Sequence, residues 1–238
     1  QAIKPVSEGG SGALPQCTYL ELGSNQIGDE GITALASACA SGALPKLRDF
    51  FLQRNKIGNA GITALVQAIK PVSEGGSGAL PQCTKLQLAG NQIGDAGMVA
   101  LAGAMGAMAN LQRLYLNSNQ IGDAGMVKFA EAIGKGALPN LEKLIIGSVM
   151  GGNNIGDQGM VALAEAFGKG ALPQLHELNL YRNKISDAAC TALADAIKGT
   201  NALNTPVRAI TRTAAGVSRR KPRPCPRPAW PYRLGARQ

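Results

Sequence analysis

The chain has 238 residues, of which 45% are hydrophobic, and its mean hydropathy is 0.00. No apolar run approaches the roughly 20 residues that a membrane-spanning helix needs, so the sequence excludes a helical membrane protein. The net charge of +9 arises in residues 201–238, which hold nine basic residues and no acidic ones, whereas residues 1–200 hold 15 of each sign. A balanced body has no general affinity for polyanions.

The body consists of six repeated units of about 30 residues. Each unit opens with two apolar positions spaced two residues apart, which is the period of a strand with one buried face. In chain order these pairs are Leu20 and Leu22, Phe50 and Leu52, Leu86 and Leu88, Leu114 and Leu116, Leu144 and Ile146, and Leu178 and Leu180. A turn and a stretch with helical apolar spacing follow each pair. One strand and one helix in each repeat predict a solenoid.

An asparagine stands at the same position of the turn in every unit. The six are Asn25, Asn55, Asn91, Asn119, Asn153 and Asn183. We expect each amide to point inward and bond the backbone of adjacent turns, where a bend would otherwise bury unpaired groups. These asparagines are therefore predicted to be scaffold rather than a polar binding site.

An aspartate or asparagine also precedes each helical stretch. The six are Asp29, Asn59, Asp95, Asp123, Asp157 and Asp187. Both residue types are preferred N-caps, so we expect each to cap its own helix rather than to bind a metal ion. Several helices are predicted to stop at Gly-Ala-Leu-Pro. The fifth unit carries about four extra residues near 149–152, inside its turn.

The remaining apolar positions and the cysteines are predicted to fill the core. Met98 and the methionines at the same place in later units lie on the inner helix face. Cys17 and Cys83 occupy a position that leucine fills elsewhere, which indicates small core residues. The cysteine count is odd and no Cys-x-x-Cys pair occurs, so we expect a reducing, cytoplasmic setting.

The unit Asn-x-Ile-Gly-Asp-x-Gly, followed by a full helix, resembles the leucine-rich repeat superfamily. It is similar to the ribonuclease-inhibitor-like class, which includes Ran GTPase-activating proteins and the repeat regions of NOD-like receptors. The resemblance covers residues 1–200. It implies an α/β solenoid shaped as a horseshoe, with parallel strands on the concave face and helices on the convex face. Known members mostly bind proteins, so a non-enzymatic interaction scaffold is the implied function.

The chain is accordingly divided at residue 200. Residues 1–200 form an array of about six units that starts within a repeat, since residues 67–84 copy residues 1–18 letter for letter. We therefore expect the true N-terminus to lie upstream. Residues 201–238 form a basic tail rich in Pro and Arg, with a composition typical of disorder. The tail could be a nuclear-import or nucleic-acid arm, or it could be a translation artefact.

Strand residues between the buried pairs should face the concave side, where a protein partner would bind. Aromatic residues and arginine, which anchor protein interfaces, are frequent there. The predicted partner-binding residues are Tyr19, Glu21, Phe51, Arg54, Lys85, Gln87, Arg113, Tyr115, Lys143, Glu177, Asn179, Tyr181 and Arg182. The competing interpretation is that these side chains only shield a curved sheet.

One regulatory alternative is activation of a small GTPase. Ran GTPase-activating proteins use an arginine on a loop of the horseshoe, and Arg54 and Arg182 directly precede ladder asparagines. This chain lacks the acidic tail of that family and has a basic one instead. Ribonuclease inhibition is disfavoured, because a neutral body offers no acidic surface to a basic nuclease.

Nothing in the sequence indicates catalysis. His176 is the single histidine, and no partner arrangement of Cys or carboxylate accompanies it. The Gly-rich segment 74–78 lacks the Lys-Ser/Thr pair of a phosphate-binding loop. The sequence therefore predicts neither catalytic residues, a cofactor nor a metal site.

Overall fold

The computed structural model describes residues 14–69, 80–199 and 208–210. Strands and helices alternate along this part of the chain. The strands are β1 (Tyr19–Glu21), β2 (Asp49–Phe51), β3 (Lys85–Gln87), β4 (Arg113–Tyr115), β5 (Lys143–Ile145), β6 (Glu177–Asn179) and β7 (Arg208–Ile210). The helices are α1 (Asp29–Ala40), α2 (Asn59–Ile69), α3 (Asp95–Ala102), α4 (Asp123–Gly134), α5 (Asp157–Gly168) and α6 (Asp187–Gly199), with a 3-10 turn at Met105–Ala107.

The strands form one parallel sheet in chain order, β1 to β7. Each strand pairs with the next without a shift, so that Leu20, Phe50 and Leu86 are neighbours along the sheet. Parallel strands lie about 4.8 Å apart, whereas a helix with its side chains is about 10 Å wide. One strand and one helix per unit can therefore stack only if the strands line the inside of a curve. The α/β solenoid with strands on the concave face is confirmed.

The core lies between the strand layer and the helix layer and runs the length of the array. The central strand residues are buried from β2 to β6, for example Phe50 and Leu86 at 0% exposure. The methionines predicted to face inward are buried as well, and so is Cys83. Cys17 is only half-buried, because it lies in the first described unit and has a neighbour on one side alone. None of the described helices is long and apolar enough to span a bilayer.

The asparagine ladder is confirmed, and it joins neighbouring units. Asn91 Nδ2 donates to the carbonyls of Leu52 and Leu88 at 2.9 and 3.0 Å, and its Oδ1 accepts from Ile57 N at 3.1 Å. Asn55, Asn119 and Asn153 make the same three kinds of contact. Each asparagine thus satisfies backbone groups of its own unit and of the unit before it.

The prediction that each aspartate caps its own helix is wrong. In α1, α3, α4 and α5 the N-cap is a glycine in extended conformation, and no side chain of the same helix caps it. Asp95 is already the first helical residue, and its Oδ1 accepts from Gly122 N at 2.7 Å and Gly125 N at 2.9 Å. Asn59 and Asp123 bond the following units in the same way. The carboxylate reaches sideways because the starts of neighbouring helices lie side by side.

The last helix shows a variant of this lateral contact. Asp157 accepts from Ser186 N at 2.8 Å and from the Ser186 hydroxyl at 2.6 Å. These bonds, the hydroxyl first, hold the pKa of Asp157 below its ordinary value. Ala189 stands where earlier units have glycine, and the serine hydroxyl supplies a second donor to the carboxylate.

The helix ends and the inserted residues of the fifth unit lie where the sequence predicts them. Gly42, Gly136 and Gly170 have φ of 79°, 87° and 82°, the left-handed conformation in which glycine is favoured at a helix stop. The extra residues of the fifth unit form a turn in which Ser148 and Gly151 bond each other, N to O, at 3.1 and 3.2 Å. The insertion therefore lies between β5 and α5, as predicted.

Strand β7 lies inside the segment that composition assigns to a tail. It begins 31 residues after β6, which is the spacing of a repeat, and it pairs with β6 in parallel. The predictions for residues 201–207 and 211–238 fall outside the described residues. The boundary at residue 200 stays a prediction.

Candidate protein-binding surface

Because the strands pair without a shift, the side chains of the concave face form two rows. The first row holds Tyr19, Asp49, Lys85, Arg113, Lys143 and Glu177, and the second row holds Glu21, Phe51, Gln87, Tyr115, Ile145 and Asn179. Neighbours in a row come from strands about 4.8 Å apart, so their side chains lie side by side. The structure therefore brings ten of the predicted residues onto one surface. Arg54, Tyr181 and Arg182 lie just beyond the strand ends.

An aromatic cluster occupies the first half of this surface. The rings of Tyr19 and Phe51 lie 4.8 Å apart at an interplanar angle of 42°. Lys85 Nζ lies 4.4 Å from the centre of the Phe51 ring and 5.8 Å from that of Tyr115. Both distances are within the range of cation–π attraction. We call Tyr19, Phe51, Lys85 and Tyr115 the aromatic cluster.

The cluster combines exposure with a fixed arrangement. Tyr19 is 54% exposed, and its hydroxyl donates to Glu21 at 3.2 Å. Phe51, Lys85 and Tyr115 are half-buried. Because the rings and the ammonium hold one another, little side-chain freedom is left to lose when a partner binds.

The second half of the surface is polar. Lys143 and Glu177 form an ion pair at 2.5 Å with both side chains partly exposed, so it contributes at most about 1 kcal/mol. Asn179 Oδ1 accepts from Tyr181 N at 3.0 Å, and Arg182 lies 6.0 Å from the Tyr181 ring. Arg113 is exposed. Polar side chains thus cover the strand positions of β6, whereas Ile145 on β5 is apolar and the ring of Tyr181 lies just beyond β6.

Arg54 and Arg182 have an unusual backbone. Both have φ of 55°, at the position where other units place Ser24, Gly90 or Ser118 with φ between 57° and 68°. The left-handed conformation costs a residue with a Cβ roughly 1–2 kcal/mol. Both arginines are also exposed, so burial of the side chain does not explain their presence.

Sequence reasoning missed two residues that belong to this side of the molecule. Gln53 follows β2 and donates through Nε2 to Glu21 Oε1 at 3.0 Å. Met150, in the inserted turn, is 73% exposed. Neither could be found from strand alternation, because Gln53 lies past the strand and Met150 has no counterpart in other units. Ile145, by contrast, is 8% exposed and offers little surface.

The thiols and the lone histidine do not form a reactive site in the described part of the chain. Burial raises the pKa of Cys39 to about 11 and that of Cys83 to about 12, so neither is a thiolate near neutral pH. His176 is exposed. The described residues contain no group of three or more His, Cys, Asp or Glu side chains that could hold a metal ion.

The comparison with known families is consistent with the asparagine ladder and the strand register. Residues 18–36, 84–102, 107–130, 149–164 and 172–194 match the family model described as Leucine Rich repeat. The matched segments are similar to leucine-rich repeats, and the fold is a leucine-rich-repeat solenoid. No curated protein matches the chain.

Two solved structures show a distant likeness. One is a chain from an octameric complex of Latrophilin 3, Unc5D and FLRT2 (LRR), at 15% identity and a TM-score of 0.28, covering 82% of this chain and 83% of that one. The other is an internalin from Listeria monocytogenes, at 16% identity and a TM-score of 0.21, covering 84% and 83%. The fold assignment rests on the register and the repeats rather than on these two superpositions.

Proposed function

We propose that this protein is a non-enzymatic scaffold that binds a protein partner through its concave face. The observation that carries the proposal is the aromatic cluster. Aromatic side chains are enriched at protein interfaces, where a few residues clustered in a water-excluding centre carry most of the binding energy. If the sheet needed only a cover, polar side chains such as Glu177 and Asn179 on β6 would suffice for every unit.

The test replaces the cluster and measures partner binding. The triple variant Phe51→Ala, Lys85→Ala, Tyr115→Ala should lose a partner that cross-links to the wild-type protein in cell extract. Removing several anchors at once should weaken binding by roughly 100-fold or more. The affinity is then measured by isothermal titration with the purified partner.

A variant on the helix face is the matched control. Val99→Ala with Val161→Ala removes two exposed apolar side chains, at 42% and 38% exposure, from α3 and α5. This variant should bind as the wild type does. Retention of the partner by the cluster variant, together with its loss from the helix variant, would move the binding surface to the convex side and refute the proposal.

Activation of a small GTPase is a second candidate, supported by two exposed arginines, Arg54 and Arg182, each of which directly precedes a ladder asparagine. The ribonuclease-inhibitor-like resemblance suggests Ran as the substrate. Single-turnover GTP hydrolysis by Ran should then accelerate when the protein is added and slow with Arg54→Ala and Arg182→Ala. An unchanged rate in the presence of the wild-type protein eliminates this candidate.

We also propose a reducing cellular compartment for this protein. Cys17, Cys39, Cys83 and Cys190 are free thiols, which supports a reducing compartment such as the cytoplasm. Entry into the nucleus, or contact with nucleic acid, would depend on the basic residues of 201–238.

A further inference from the structure

Three cations lie side by side at the centre of the first row of the concave face. Lys85, Arg113 and Lys143 occupy the same register position of β3, β4 and β5, and we call them the cationic row. Two strand spacings separate the outer pair at their Cα atoms, which is about 10 Å. Like charges on directly opposed residues of neighbouring strands repel each other. Three positive charges in register are therefore less favourable for the free protein than mixed charges would be.

The repeat does not require basic residues at this register position. It is filled by Tyr19 in β1, by Asp49 in β2 and by Glu177 in β6. Residues 1–200 have equal numbers of acidic and basic side chains, so the cationic row is a local excess of charge rather than a consequence of composition. A local excess that folding does not need points to a partner of opposite charge.

Two of the three cations already have contacts within the protein. Lys85 Nζ lies over two rings of the aromatic cluster, and Lys143 pairs with Glu177. Arg113 is exposed and belongs to none of the ion pairs among the described residues. The concave side chains around it include no acid and are Lys85, Gln87, Tyr115, Lys143 and Ile145. Arg113 is thus the cation to which a partner would bring the counter-charge.

The chemistry of Arg113 favours a carboxylate. A guanidinium presents parallel N–H donors that match the two oxygens of a carboxylate, and both hydrogen bonds are charge-assisted. The cationic row ends at Asp49 on one side and at Glu177 on the other. These acids would repel the backbone of a nucleic acid, which carries a charge at every phosphate. A short acidic segment of a protein fits between them.

The aromatic cluster borders the cationic row and indicates what accompanies the carboxylate. Tyr115 follows Arg113 by two residues on β4, and Lys85 belongs to both surfaces. An apolar side chain seated on the rings would exclude water from the neighbouring ion pair and so strengthen it. Strands β2 and β4 are two spacings apart, about 10 Å. An extended chain covers that distance in about three residues.

We infer that the cationic row binds an acidic segment of the protein partner. An Asp or Glu carboxylate of this segment pairs with Arg113, and an apolar residue about three positions away packs on the aromatic cluster. This assignment rests on the proposed function, because it places the segment in the same partner that covers the cluster. It adds the charge of the recognised segment and the residue that reads it.

The test uses two blocked hexapeptides and the full chain. The probes are acetyl-Leu-Gly-Gly-Glu-Glu-Gly-amide and its analogue with Gln at both Glu positions, which have the same size and backbone. Binding is followed in ¹⁵N–¹H spectra by the backbone amides of β3 to β5, which separates the cationic row from the basic residues of 201–238. The Glu peptide should shift these signals and bind roughly tenfold more tightly than the Gln peptide.

The preference should also depend on salt. Raising the ionic strength from about 0.1 M to about 1 M shortens the Debye length from roughly 10 Å to roughly 3 Å. The advantage of the Glu peptide should then fall to about threefold or less, whereas binding of the Gln peptide should change little. A tenfold preference that persists at the higher ionic strength contradicts recognition of charge.

Variants decide whether Arg113 is responsible. Arg113→Gln should reduce the preference for the Glu peptide to about threefold or less, with thermal unfolding monitored to confirm folding. Arg113→Lys should retain part of the preference, because the charge remains while the two-bond contact is lost. Lys169→Gln, which removes an exposed cation at the end of α5, should change nothing. Equal affinity for the two peptides, or a preference that survives Arg113→Gln unchanged, overturns the inference.

An oligonucleotide of eight thymidines is the third probe. It should shift the amides of β3 to β5 less than the Glu peptide does at equal concentration. Larger shifts of the same amides by the oligonucleotide, lost in Arg113→Gln, would assign the cationic row to nucleic acid and also overturn the inference.

The two proposals fail separately. If the cluster variant loses the partner but the Glu peptide is not preferred, concave recognition stands and the acidic segment does not. If the preference for Glu is found and depends on Arg113 while the partner binds the helix face, the cationic row is a real site and the proposed function is wrong.

Discussion

Replacing Asn91 with alanine is expected to lower the free energy of unfolding by about 3 kcal/mol, since three buried backbone groups lose a partner. The amide is 7% exposed and bonds Leu52 O, Leu88 O and Ile57 N. Those groups lie inside the turns of two units, where other protein donors and acceptors are already engaged. Urea unfolding followed by circular dichroism measures the loss.

Asn25 is the matched control, because it has the same sequence context in the first unit but is exposed. Its amide donates only to the nearby carbonyls of Leu22 and Gly23. Asn25→Ala should cost less than about 1 kcal/mol, because water can replace both bonds. Similar losses for the two variants would show that the ladder is not what makes Asn91 important.

Replacing Gly125 with alanine is expected to destabilise the protein by about 2 kcal/mol, although alanine normally stabilises a helix by nearly 1 kcal/mol relative to glycine. A Cβ at this position would lie 2.8 Å from Asp95 Oδ1, 2.9 Å from Met98 Cβ and 3.1 Å from Asp95 Cα. The neighbouring helix would have to move, and the bond from Gly125 N to Asp95 would stretch. Thermal unfolding of the variant gives the sign of the effect directly.

Gly31 occupies the same position in the first helix and should respond in the opposite direction. A Cβ there meets one atom within 4 Å, the Cγ2 of Ile27 at 3.0 Å. Gly31→Ala should therefore be neutral or stabilising by up to about 1 kcal/mol. If Gly125→Ala also proved stabilising, lateral crowding by the carboxylate would not be the reason for glycine at this position.

Much of the architecture could be predicted because the same pattern of residues recurs in every unit. The two-residue period placed every strand from β1 to β6, and Asn55, Asn91, Asn119 and Asn153 are buried as expected, whereas Asn25 in the first unit is exposed. The lateral carboxylates were not predictable in the same way. A repeated letter gives the position of a residue within its unit, but it does not say whether the side chain of Asp95 bonds its own helix or the next one. Packing of adjacent helix starts decides between them.

The candidate surface could also be predicted only in part. Tyr19, Phe51 and Tyr115 could be assigned to the concave face because side chains alternate along a strand. The approach of Lys85 to two rings could not, since it depends on rotamers chosen across three strands. Gln53 and Met150 could not be assigned either, because Gln53 lies past the end of β2 and Met150 belongs to an insertion.

The two kinds of contact between units run in opposite directions along the array. The amide of Asn91 serves the unit before it, whereas the carboxylate of Asp95 serves the unit after it. Separating any two neighbouring units therefore breaks hydrogen bonds made by side chains of both units. In a linear array, the strength of such coupling relative to the stability of a single repeat sets how many repeats unfold together. Short side chains at two positions in each unit thus make neighbouring repeats cooperative, and the aromatic cluster, which spans four of them, keeps one shape.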